Sequence, residues 1–189
     1  MFDQLNRGHT GWARFSDDMT MRYRLGRILT ENVRKFDSDG DWVGHEHVSR
    51  IVFVMLNPST ADAFDLDPTV NECRKRALAL GGDILEVVNL FAWRTPYPAE
   101  LLKRASGQRG DDHIATAEIF AACKGARYVI AAWGNHGDLG GRAAIVTNLL
   151  RQHGIKLHHL GFTLHGHPKH PLARGKHRIP ADQPLLELL

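Results

Sequence analysis

The sequence predicts an α/β protein: a three-layer sandwich with a central four-stranded, mostly parallel sheet and helices on both faces. Residues 51–56, Ile-Val-Phe-Val-Met-Leu, are apolar without alternation, the pattern of a strand buried on both faces. Further apolar runs at residues 84–92, 128–132 and 155–160 are separated by segments of helical period. Each run stops in a polar, turn-prone stretch. Strands alternating with helices build right-handed parallel units, so the four strand outlets fall on one edge, where open α/β sheets bind ligands.

One domain suffices for 189 residues. Within it, residues 1–20 read as an irregular N-terminal arm pinned by Trp12 and Phe15, and residues 174–189 as a C-terminal tail. The balance of 24 Lys plus Arg against 21 Asp plus Glu is mildly basic, and 12 His add positive charge as pH falls, which permits a nucleic-acid or nucleotide partner. Cys73 and Cys123 lack a CxxC spacing and nothing at the start resembles a signal peptide, so a cytoplasmic setting is expected. No apolar run approaches the roughly 20 residues that span a bilayer, so no membrane partner is expected. The oligomeric state is not fixed by these features.

Taken in order, residues 22–29 alternate as a strand with its arginines on one face. Asp37-Ser38-Asp39-Gly40-Asp41 marks a turn. After the run at 51–56, Asn57-Pro58 ends the strand, because proline bars helical geometry at the residue before it and donates nothing to a ladder. Asp67 caps a helix with Pro68 in its first turn and Val70, Cys73, Ala77 and Leu80 at helical spacing, and Gly81-Gly82 ends it. Pro98 opens a short helix. A longer helix covers 111–122 with Ile114, Ala117 and Phe120 inward, and another covers 141–153.

The outlets carry Met55-Leu56-Asn57-Pro58, Val87-Val88-Asn89-Leu90-Phe91-Ala92, Ala132-Trp133-Gly134 and His170-Pro171-Leu172-Ala173, or alternatively His167-Pro168. In that order they resemble the outlets of the uracil-DNA glycosylase superfamily. The longer run Met-Leu-Asn-Pro-Ser-Thr-Ala with Asp-Pro-Thr, Val-Asn-Leu-Phe-Ala, Ala-Trp-Gly and His-Pro-Leu resembles, over about residues 20–175, the bacterial and phage family called domain of unknown function sixteen forty-three. The first resemblance implies a uracil-DNA-glycosylase-like fold and a nucleobase- or nucleotide-binding protein that hydrolyses an N-glycosidic bond of a modified or mismatched base in DNA. Asn57 would then position water or the base, Asn89 would read a flipped base, and His170 would donate to a carbonyl oxygen gaining charge. The chain departs from the pattern at Ser59, where an aromatic often stacks, and at Ala173, where a tyrosine often stands.

Around these, Pro58, Ser59, Trp93, Arg94, Trp133, His167 and Lys169 are candidate substrate contacts, and Asp62 a candidate third catalytic group. Plainer roles compete for the same residues. Asn57 suits an amide that caps its own loop, Asn89 a satisfied core amide, and Trp133 and Phe91 the core. Asp62, Asp65 and Asp67 suit turns and caps as well as they suit water activation. Lys169, Arg174, Lys176 and Arg178 read either as a solvated loop or as a phosphate clamp. His165, His167, His170 and His177 match no compact zinc spacing, so no metal or cofactor is expected. Two other functions stay open: a hydrolase or transferase acting on free nucleotides or nucleosides, and a nucleic-acid-binding protein without turnover.

Overall fold

The computed structural model describes residues 1–5, 11–30, 33, 48–65, 67–104 and 106–189. The turn expected at 37–41 lies outside the described residues. The chain is an α/β protein whose described residues form one mixed sheet of eight strands and four α-helices: β1 (Phe2–Leu5), β2 (Gly11–Phe15), β3 (Arg22–Ile28), β4 (Arg50–Met55), α1 (Pro68–Ala79), β5 (Ile84–Asn89), α2 (Pro98–Lys103), α3 (His113–Cys123), β6 (Tyr128–Ala131), α4 (Arg142–Gln152), β7 (Leu157–His159) and β8 (Leu186–Glu187). The spatial order is β1-β2-β3-β5-β4-β6-β7-β8. The inner four, β5-β4-β6-β7, pair in parallel, and the flanking strands pair antiparallel.

The sheet is therefore twice as wide as the sequence reading allowed. The described part of the expected arm, residues 1–5 and 11–20, is not irregular: β1 and β2 add two strands beyond β3, and Phe15 is fully buried. Gly26 of β3 lets the Trp12 indole lie across it, since a Cβ there would stand 2.0 Å from the ring. At the far edge, β8 of the expected tail pairs with β7. Short strands of this kind bury little and carry a weak apolar signal, so their pairing is set by the neighbouring edge.

β4 is buried on both sides, with Ile51, Val52, Phe53 and Val54 at 0% exposure. Ile51, Phe53 and Met55 pack towards α1 and its Val70, Cys73 and Ala77. Val52, Val54 and Leu56 pack towards α2, α3 and α4 through Leu101, Ile119, Ala122, Val146 and Leu150. The buried face of α3 is one residue round from the expected one: Ala115, Ile119 and Ala122 are buried, Ile114 and Phe120 are half-buried, and Ala117 is exposed. The Asp112 carboxylate caps that helix at Ala115, which fixes where it begins.

The arginines of β3 do not share a face. Arg24 pairs with Arg14 and Arg22 with Phe15, so Tyr23 is an extra residue and the strand bulges there. Arg24 turns to Glu86 and Glu118, while Arg22 and Arg27 turn to carbonyls of the segment after β4. Glu86 of β5 is 3% exposed and takes Arg24 of β3 on one oxygen and Arg50 of β4 on the other. Among the described residues, no helix is long and apolar enough to cross a membrane.

Glu86→Ala removes the acid that Arg24 and Arg50 share, leaving Arg24 with Glu118 at 3.7 Å and Arg50 with the Lys124 carbonyl, and we expect it to cost about 2–4 kcal/mol, the partial exposure of both arginines keeping it below a fully buried pair. Urea unfolding of the variant against the parent, at equal slope, measures it.

Candidate functional site

Because β5, β4, β6 and β7 run in parallel, their carboxyl ends share an edge, and backbone bonds stitch the outlets together. Leu90 and Phe91 N–H donate to Met55 and Leu56 carbonyls at 2.8 and 2.9 Å, Ala132 N–H to Val54 at 2.8 Å, and Gly134 N–H to Pro168 at 2.9 Å. His170 stands beside Gly134, where a Cβ would come 3.8 Å from the His170 Cβ. The expectation that these distant segments meet at one edge holds at the level of the backbone.

Asn57 is half-buried and joins the first two outlets. Its Nδ2 donates to Pro58 O at 3.1 Å and Thr95 O at 2.9 Å. Two carbonyl acceptors assign the nitrogen to that side, so Oδ1 faces the other way and has no donor among the described residues. The plainer role, an amide tying down its loop, is thus real for one half of the side chain. The other half is an oriented acceptor.

Asn89 ends β5 opposite Met55, on the α1 side of the sheet, and is 3% exposed. Its Nδ2 is buried with no hydrogen-bond partner among the described residues. It is not a satisfied core amide: a buried donor left unpaired costs about 1–3 kcal/mol, and such groups gather where a ligand or water completes them.

His170 accepts the Leu172 N–H on Nδ1 at 3.1 Å, so in the neutral ring the proton sits on Nε2. Burial pushes its pKa below the ordinary 6.5, with the charge of Asp67 acting in the opposite sense. Asp67 therefore lies within electrostatic reach of His170, although its Oδ1 is taken by Val70 N–H as the cap of α1. His167 belongs elsewhere. Its Nε2 lies 4.0 Å from Asp138, and with Trp133 and Pro168 it lines a groove on the α4 side. Three residues along the chain separate the two rings into different surroundings.

Trp133 is 4% exposed in the core on that α4 side. Trp93 is half-buried beneath the Arg104 guanidinium, 3.6 Å from its ring centre. Pro58 is buried, and Ser59 and Lys169 are half-buried, with Lys169 against Gly161. Asp62 closes a turn, its Oδ1 accepting the N–H groups of Phe64 at 2.8 Å and Asp65 at 3.0 Å. Burial raises its pKa, but those amides, Gln4 and Arg27 outweigh burial and hold it below the usual 3.8. Both cysteines are buried, and burial pushes their thiols well above 9.0. A groove of about 760 Å³ between α1 and residues 171–181 carries Lys75, Arg174 and Arg178, and buried Arg76 there donates to Ile179 and Pro180 carbonyls.

Sequence reasoning missed Arg22. It is 2% exposed, on the α1 side of the outlet edge, with Nη1 donating to Ala61 O and Nε without a partner. Burial brings its pKa down to about 10 despite the pull of Asp67 and Asp62. The available signal was an arginine at the start of a strand whose other face is apolar. The bulge at Tyr23 hid which way it points.

The unpaired Nδ2 of Asn89, the free Oδ1 of Asn57 and the His170 imidazole make this strand-outlet edge of an α/β fold a candidate site, at the place where open sheets of this class bind ligands. A family model described as "Protein of unknown function (DUF1643)" matches residues 22–172, and the chain belongs to that family. No curated protein and no solved structure matches it.

Asn57→Asp would set a carboxylate oxygen against the carbonyls of Pro58 and Thr95, so we expect about 1–3 kcal/mol of destabilisation at neutral pH, read by urea unfolding. His170 and 3%-exposed His159 both have pKa values lowered by burial. Unfolding then takes up protons as pH falls through the ordinary histidine range, so stability present above about pH 6.5 declines below it. Melting temperature should drop between about pH 7.5 and about pH 5.5, and less steeply in His170→Asn.

Proposed function

We propose that this chain is a nucleobase- or nucleotide-binding protein of the uracil-DNA glycosylase type, and that its edge serves hydrolysis of an N-glycosidic bond in DNA. The observation that carries the reading is the unpaired amide of Asn89, buried at the end of a central parallel strand opposite Met55, two residues before Asn57, whose Oδ1 has no donor among the described residues. An amide held there offers donor and acceptor in one plane, the pattern that reads the edge of a base lifted out of its stack.

Chemically, Asn57 Oδ1 orients a water molecule and takes no proton from it. As the water oxygen bonds to the sugar carbon, the bond to the base nitrogen breaks and its electron pair leaves with the base. Negative charge grows on the base carbonyl, where the Nε2–H of a neutral His170 donates a hydrogen bond. The water's proton passes to solvent. A neutral amide in place of a carboxylate makes for slow turnover.

The groove bearing Lys75, Arg174 and Arg178 begins at Pro171, next to His170, and supports a nucleic-acid backbone lying across α1. That same groove favours a second reading, nucleic-acid binding without turnover.

Incubation with single- and double-stranded DNA carrying uracil or other modified bases, scored for free base and abasic sites, tests the proposal. The parent protein should release base, and Asn57→Ala and His170→Ala should each fall by ~100-fold. Binding that weakens steeply with salt but releases no base across the panel supports the second reading. Equal release by all three proteins would discard the residue assignment.

A further inference from the structure

Two arginines at the outlet edge have no ion-pair partner among the described residues. Met21 and Trp93 form an antiparallel bridge, flanked on one side by Arg22 N–H to Ala92 O at 2.8 Å and on the other by Arg94 N–H to Thr20 O at 2.9 Å. Arg22 and Arg94 are therefore diagonal neighbours on one face of the sheet, with Cα atoms roughly 7–8 Å apart. Two guanidiniums in that relation repel each other.

Neither arginine has a carboxylate within ion-pair distance among the described residues. Arg22 makes one side-chain hydrogen bond, from Nη1 to Ala61 O, and Arg94 one, from Nη1 to Met19 O at 3.1 Å. Both Nε atoms are buried and unpartnered. The acids whose charge reaches Arg22, Asp67 and Asp62, each hold local amides with one oxygen and neither comes within ion-pair distance of it. Half-buried Arg24 and Arg50 meet Glu86 and buried Arg76 meets Glu72, whereas buried Arg27 and Arg142 rest on carbonyls as Arg22 does; what sets Arg22 apart is a second arginine without an acid partner, Arg94, on the same face. A charge removed from water without a paired acid is costly unless something supplies the counter-charge.

We propose that Arg22 and Arg94 form an anion subsite that takes a phosphate group of the ligand, Arg22 as its floor and the more exposed Arg94 as its mouth. The inference rests on the nucleotide reading of the same edge and narrows it: the ligand is a nucleotide, bound through base and phosphate together, and not a bare base or nucleoside. Tetrahedral phosphate suits two forked guanidiniums approaching from one face. A free nucleotide and a nucleic-acid backbone both present this chemistry.

Binding to the full chain separates the cases. Sodium phosphate should raise the melting temperature relative to sodium chloride at matched ionic strength. 5′-mononucleotides should bind more tightly than the corresponding nucleosides. Arg94→Gln should weaken phosphate and mononucleotide binding at least about tenfold while leaving nucleoside binding unchanged. Arg22→Gln is expected to act the same way, and should it fail to fold, Arg94→Gln with the parent arms still decides. Tighter binding of a mononucleotide than of an oligonucleotide containing it assigns the free nucleotide as source, and the reverse order assigns the backbone.

Phosphate no better than chloride, with nucleosides bound as tightly as nucleotides, overturns the subsite and leaves the base reading standing. Arg94-dependent phosphate binding with no discrimination among bases supports the subsite and removes the base reading instead.

Discussion

Everything at the candidate site depends on β4 being buried on both faces. A strand enclosed by α1 on one side and α2, α3 and α4 on the other can carry no polar side chain along its length, and Ile51 to Val54 carry none. On β4 polar groups stand only at the two ends, Arg50 before the apolar run and Asn57 after it. Pro58 enforces the stop at the second end by withholding a donor, and Asn57, immediately before it, becomes the first polar residue of the strand to meet the edge. Parallel pairing repeats the same stop on β5, β6 and β7, which is why residues far apart along the chain meet.

Electrostatics then distinguishes the two ends of the sheet. Towards the amino ends of the parallel strands, Glu86 and Arg50 bring charges together in paired form, and Arg24 joins them from β3. At the carboxyl ends, Arg22 and Arg94 lean on the backbone carbonyls of Ala61 and Met19, Asp62 and Asp67 each hold local amides with one oxygen, and the Asn89 donor is unpaired among the described residues. Carbonyl dipoles solvate a guanidinium only in part. One end holds an acid shared by two arginines, and the other holds two arginines without an acid within ion-pair distance among the described residues.

Several site residues carry two roles at once, and the split is physical. Asn57 gives its nitrogen to the fold and keeps its oxygen free. His170 gives Nδ1 to the Leu172 amide, which fixes the tautomer and leaves Nε2 as donor. Asp67 caps α1, yet its field reaches both His170 and Arg22. A side chain locked on one side by the backbone is pre-oriented on the other, the usual condition for a precise contact.

What the sequence by itself determined is whatever local pattern encodes: the apolar runs of the four parallel strands, the stop at Asn57-Pro58, the Asp67–Pro68 start of α1, and family membership through the short outlet motifs. These signals are short-range and strong, since burial on both faces and proline chemistry leave few alternatives. Tertiary structure alone decided the rest. β1, β2 and β8 became strands because an open sheet edge accepts partners with little apolar signal of their own. The bulge at Tyr23 turned Arg22 towards the outlets, and a one-position rotation put Ala115 and Ile119 of α3 in the core in place of Ile114 and Phe120. His170 and His167, three residues apart, were separated by the turn between Phe162 and Pro168, which local pattern cannot specify because it is set by contacts with residues distant in the chain.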